Sequence, residues 1–180
     1  MSTTHTLIIK HDYCIDSPRD WDNLGKIYAE HRRYNLKDSN ASDIRDDDGH
    51  ISNDYIYLNV YMYEHGGVAL NTSGFSCPWD SGQVGYIYVS KVEVLKNWGR
   101  KRMSKKLEQK VYKCLQAEIE TYSMYLNGDV YGYEYQELSE EGRLLNEDSC
   151  WGFFGSNPEK NGMVEYIGRK NLEQCEVIYQ

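Results

Sequence analysis

Nine consecutive residues, Tyr55-Ile-Tyr-Leu-Asn-Val-Tyr-Met-Tyr63, alternate without a break. A period of two is the mark of a β-strand, because successive side chains leave opposite faces. Ile56, Leu58, Val60 and Met62 make one face; Tyr55, Tyr57, Asn59, Tyr61 and Tyr63 make the other. The same chemistry recurs at Tyr86 and Tyr88, within a strand expected over residues 84–90, and at Tyr131, Tyr133 and Tyr135. With 17 Tyr against 3 Phe, the sheet faces must be wide and half-buried, since each ring brings a hydroxyl that needs a partner. If the strands are neighbours, the tyrosine combs merge into one aromatic face, either a half-covered sheet face or a recognition surface for unpaired bases or a protein. On 130–135 only Val130, Gly132 and Glu134 oppose the tyrosines, so there the tyrosine side is itself a candidate core side.

A second periodicity supplies a helix. Met103, Leu107, Val111, Cys114, Leu115, Ile119, Tyr122, Tyr125 and Leu126 fall on one stripe, predicting a helix over about 102–126 that stops at Asn127-Gly128. Further strands are expected over 6–13 and 26–32, with a capped turn at Ser17-Pro18 and a polar loop over 37–54. Residues 130–154 read as a β-hairpin turning at Ser139–Gly142, and a short helix follows Asn157-Pro158. Without βαβ alternation, the expected fold is α+β: a mainly antiparallel sheet with the long amphipathic helix on one face, in a single domain over 1–180. At 40% hydrophobic and 27% charged, the composition supports a folded core.

Charge is unevenly spread. The net is −8, yet residues 91–113 carry nine basic residues against Glu93 and Glu108, or +7. The remaining 157 residues hold −15. Arg102, Lys105, Lys106, Lys110 and Lys113 lie opposite the apolar stripe at helical spacing. They form either a solvated helix face or a ridge for nucleic-acid phosphates. The acidic remainder opposes the approach of free DNA and suits a protein partner with basic grooves. Glu118 sits inside the apolar stripe, where a carboxylate must be paired or protonated; a structural acid is the first reading and a catalytic acid the second.

Signatures of chemistry are missing. There is no GxGxxG after a strand, no P-loop, no HExxH and no GxSxG. His5, His11, His31, His50 and His65 are scattered, and Asp46-Asp47-Asp48-Gly49 lacks the rest of a calcium loop. Five widely spaced cysteines with no CxxC suit free thiols in a reducing cytoplasm. No leader or membrane span is expected, and no cofactor is implied. The alternative is a metal-dependent nuclease using Asp80 or Glu118.

Several strings are distinctive together: Asp16-Ser-Pro-Arg-Asp-Trp-Asp-Asn-Leu-Gly25, His31-Arg-Arg-Tyr-Asn-Leu36, Trp79-Asp-Ser-Gly-Gln-Val-Gly85, Glu120-Thr-Tyr122 with Gly128-Asp-Val-Tyr-Gly-Tyr133, and Ser149-Cys-Trp-Gly-Phe153. Over roughly residues 16–155 the chain resembles a group of small proteins carried by phages, plasmids and mobile elements of gut bacteria. The resemblance implies an anti-defence role as an anti-CRISPR protein that inhibits the Cas9 nuclease with its guide RNA, in the host cytoplasm. Candidate binding residues are Arg102, Lys105, Lys106, Lys110, Lys113, Tyr57, Tyr61, Trp79 and Asp80.

Overall fold

A computed structural model describes residues 3–180. The chain is α+β, with two four-stranded, mainly antiparallel sheets and four helices, only one of them long. Its contacts fall into two compact units: residues up to Asp16 together with those from Met124 onward, and Ser17–Ser123. The one sheet expected from the sequence is thus two. A period-two pattern shows which residues share a face but not which strand lies beside it.

The first unit contains β1 (Thr3–His11) and, from the other end of the chain, β6 (Val130–Ser139), β7 (Leu144–Phe154) and β8 (Cys175–Tyr179). Their order is β7-β6-β1-β8, and only the β1–β8 pairing is parallel. Helices α3 (Met163–Ile167) and α4 (Arg169–Gln174) precede β8. Register sets Leu7 opposite Tyr135 and Ile9 opposite Tyr133. These four join Phe153, Met163 and Ile167 in one core, so the tyrosine side of the hairpin is its buried side. The hydroxyls remain satisfied: Tyr133 donates to Asp148 at 2.6 Å, and Tyr135 bonds His5 Nδ1 at 2.8 Å.

The second unit is built on β2 (Lys26–Ala29), β3 (Tyr55–Glu64), β4 (Val68–Asn71) and β5 (Ser81–Ser90), in the order β2-β5-β3-β4. Ile27 and Leu58 both face Ile87 across the ladder, and Ile56 faces Val89. Leu115 of the long helix α2 (Lys105–Asn127) meets Ile87 beside Gly25, where an added Cβ would lie 2.5 Å from one and 2.7 Å from the other. Leu107, Val111, Leu115, Ile119 and Tyr122 are the buried residues of α2, at steps of four and three. Its end matches the sequence reading: Gly128 has φ +75°, and the Asp129 amide reaches back to Met124 O at 2.8 Å.

Its start does not. Ser104 caps the helix by accepting from Leu107 N at 3.2 Å, leaving Arg102 and Met103 outside it. The reason lies upstream, in a helix the periodicity did not suggest. In α1 (Lys91–Asn97), Ser90 and Glu93 cap each other's backbone, and Gly99 at φ +58° then reverses the chain. β4 and β8 also went unread. No helix among the described residues is long and apolar enough to cross a membrane.

Two glycines test the sheets. A Cβ on Gly85 would lie 2.0 Å from Tyr28 O and 2.6 Å from Ala29 Cα, both backbone atoms. On Gly132 it would meet the ring of Trp151, a partly exposed side chain able to swing aside. Gly85→Ala is expected to cost about 3 kcal/mol in urea unfolding, and Gly132→Ala about 1 kcal/mol.

Candidate functional site

The basic run is organised by the turn between α1 and α2. Trp98 ends α1 with its N–H on Val94 O, and Arg100 N closes onto Leu95 O at 2.8 Å. After the glycine reversal, Arg100 and Arg102 come beside Lys106 and Lys110, one turn apart on α2. With Trp98 and Leu107 they line a depression of about 440 Å³. On the helical wheel Lys106, Lys110 and Lys113 lie opposite the buried stripe, with Lys105 on its flank. Of the nine basic residues in 91–113, all but Lys91 are exposed. Among the described residues none of the nine forms an ion pair. Such a cluster can neutralise phosphates, with Trp98 offering an apolar floor.

Arg102, Lys106 and Lys110 are therefore brought together, while Lys105 and Lys113 are exposed nearby on the helix. Trp98 and Arg100 were not singled out from the sequence. The Ser90-Lys-Val-Glu93 capping box was the available signal, since it starts a helix at Ser90 that Gly99 then ends just after Trp98.

The tyrosine combs do not merge into one open face. The third comb lies in the other sheet, and much of the β3–β5 comb is covered. Residues 41–44 lie over Tyr86 and Tyr88: Ser42 N donates to Tyr88 OH and Ile44 N to Tyr86 OH, each at 3.0 Å. Tyr86 in turn donates to Asp43 Oδ1 at 2.5 Å. Tyr28, Ala41, Tyr86 and Tyr88 form a small core of their own. Tyr61 lies against Gly74, half-buried, whereas Tyr57 is 40% exposed. Trp79 is 91% exposed. Its neighbour Asp80 takes His65 Nδ1 at 3.3 Å and the Cys77 thiol at 3.5 Å.

Glu118 is paired, as a carboxylate in an apolar stripe must be. It accepts from Leu24 N at 2.8 Å, from Gly25 N at 3.2 Å and from Arg19 Nη1 at 3.2 Å. Arg19 also forks onto Asp38 at 3.0 and 2.7 Å and donates to Gly25 O. Burial pushes the Glu118 carboxyl above its usual range, against the bonds from Leu24, Arg19 and Gly25. For Arg19, burial opposes the charge, but the bonds to Asp38 and Glu118 hold its proton more tightly than in an ordinary arginine. Asp80 and Glu118 have separate partners. No group of three or more His, Cys, Asp or Glu side chains is placed to hold a metal ion among the described residues.

On the first unit, Glu134, Gln136, Glu147 and Asp148 line a concavity of about 480 Å³, with Lys10 paired to Glu134 at 2.6 Å. The first unit holds thirteen acidic residues against five basic, a net of −8; the second holds fifteen of each and is neutral overall. No protein-family model, curated protein or solved structure matches the chain.

Arg19→Leu strands two largely but not fully buried carboxylates and is expected to cost about 2–4 kcal/mol in urea unfolding, while Glu118→Gln, which keeps its acceptor oxygen, costs about 1–2 kcal/mol. A second prediction concerns pH. Burial, then the bond to Asp43, pushes Tyr86 up to about 12, above the unfolded value of 10.0. The unfolded chain therefore loses this proton first. Tyr86's contribution to stability is complete below the unfolded value and is lost as pH rises through the folded one. Tyrosinate absorbance should show Tyr86 among the last residues to ionise, and Asp43→Asn should bring that step to lower pH.

Proposed function

We propose that the chain acts by binding rather than by bond-making, as an anti-defence protein that inhibits a guide-RNA-loaded CRISPR nuclease of the Cas9 kind in the host cytoplasm. The observation that carries this reading is the separation of charge. One unit holds the whole −8, while the other gathers +7 within residues 91–113, around the depression at Trp98. In this reading α2 is an amphipathic helix packed on the second sheet, with its lysines presented outward. Such a nuclease joins a basic protein channel to exposed RNA phosphates. The acidic hairpin suits the channel, where carboxylates stand in for the phosphates of target DNA. The cations around Trp98 suit the guide backbone. Inhibition then follows from occupancy, with one inhibitor per nuclease.

The test reverses Lys105, Lys106, Lys110 and Lys113 to Glu, with folding checked by circular dichroism. Pull-down on a Cas9–guide complex should weaken about tenfold or more, lose most of its salt dependence and release target cleavage. Undiminished inhibition would remove the helix from the mechanism. Cleavage of DNA or RNA by substoichiometric protein with magnesium or manganese would replace the binder with an enzyme.

A further inference from the structure

We infer that a pocket beside the exposed ring of Tyr57 binds a single unstacked nucleotide, its base against Tyr57 and its phosphate at Arg45. The pocket holds about 730 Å³, ample for one nucleotide, and lies wholly within the second unit. Tyr57, 40% exposed, supplies its accessible ring, backed by the buried Tyr28 and Tyr86. Tyr28 and Tyr86 stand 5.6 Å apart with planes 26° from parallel, and Tyr57 meets Tyr86 edge-on at 6.5 Å. Polar groups interrupt this aromatic surface. Asn59 occupies the place in the comb where a tyrosine would continue the pattern, directly across from Tyr86. A register shift at Val60/Tyr61 then sets Gln83 opposite Tyr61 and adds its amide to the lining.

These groups have little to do inside the fold. Among the described residues the Asn59 amide and the Tyr57 hydroxyl make no hydrogen bond, and Gln83 Nε2 reaches only Gly85 O at 3.5 Å. An amide pairs a donor with an acceptor, matching the edge of a nucleobase, while the Tyr57 ring matches its face. Glu30 gives one carboxylate oxygen to Tyr28 OH at 2.8 Å and keeps the other for an exocyclic amine. The phosphate end is equally defined. Asp43 holds Arg45 through Nε and Nη2, with the guanidinium carbon 5.8 Å from the ring centroids of both Tyr28 and Tyr86. Nη1 makes no hydrogen bond among the described residues, and His50 lines the same pocket. A cation fixed by a carboxylate at the lip of an aromatic pocket suits a ligand with a flat ring and an anionic tail. The inference deepens the proposed function, because it gives the contact with a nucleic-acid-bearing partner a site for one extruded base.

Calorimetry with the full chain tests it, using 5′-AMP, 5′-GMP, 5′-CMP and 5′-UMP, with adenosine, inorganic phosphate and methyl glucoside as controls. Nucleotides are expected to bind at about millimolar affinity, adenosine more weakly and phosphate alone not measurably. Tyr57→Ala, at a half-exposed ring, and Asn59→Leu should each weaken binding about fivefold or more, while Lys106→Glu leaves it unchanged. No saturable nucleotide binding overturns the inference, as does binding that neither variant alters, or methyl glucoside binding as tightly as AMP. Each of those results leaves the lysine-dependent inhibition intact. Loss of the lysine effect with nucleotide binding retained would instead sink the proposed function alone.

Discussion

The second unit depends on one buried guanidinium. Arg19 is only 8% exposed at its side chain and is shared between Asp38 and Glu118. A charge placed there is costly unless its partners are fixed and their remaining acceptor capacity is filled. Both conditions hold. The two carboxylates also take the backbone N–H groups of Leu24, Gly25 and Ile27, which otherwise have no ladder partner on that side. The stretch from Ser17 to Asp38, with one 3-10 turn and a four-residue strand, is thereby tied to the middle of α2. The same approach explains Gly25, since any side chain there would strike Leu115 and Ile87. A polar network thus sets the entry of β2, and the apolar contacts around Ile87 follow from it.

Tyrosine imposes the second constraint. Burying its ring is favourable only if the hydroxyl keeps a hydrogen bond. The first unit meets the need with Asp148 and His5, the second with residues 42–44. That difference explains what the sequence could convey. Alternation over 55–63 and 130–135 was plain, and so was the helical stripe, because both periods are carried by side chains. The covering of Tyr86 and Tyr88 was not, because two of the groups that satisfy them are backbone N–H groups, which almost any residue supplies. An acidic loop reads as solvated until its backbone is known to close over a sheet. β8 escaped notice for a related reason: it pairs in parallel with β1 across most of the chain, and nothing local in five residues marks a distant partner.

The site was half legible. Charge counting found the basic run, and helical geometry found its outward side. The sequence could not show that Gly99 and Ser104 break the run into a short helix, a turn and a long helix. That break moves Arg102 off the helix and onto the rim of a depression. Trp98 and Arg100 gain a role only once the turn exists, so a one-helix reading had no place for them.

Whether a charged side chain serves the fold or a partner can be read from what it touches. Arg19 and Arg33 are each within 3.2 Å of a carboxylate and help to position a loop. Their charge is largely cancelled within the chain. The cations from Lys96 to Lys113 have no such partners among the described residues, although the chain carries an excess of acids that could have been placed beside them. Gathering like charges raises the energy of the folded state through self-repulsion, while intermixing them would lower it. Nothing in the packing requires this arrangement, because the stripe of α2 would be buried equally well behind neutral or mixed outward residues. What the arrangement does supply is a local positive potential on a chain that is negative overall. A binding surface for polyanions needs such a field.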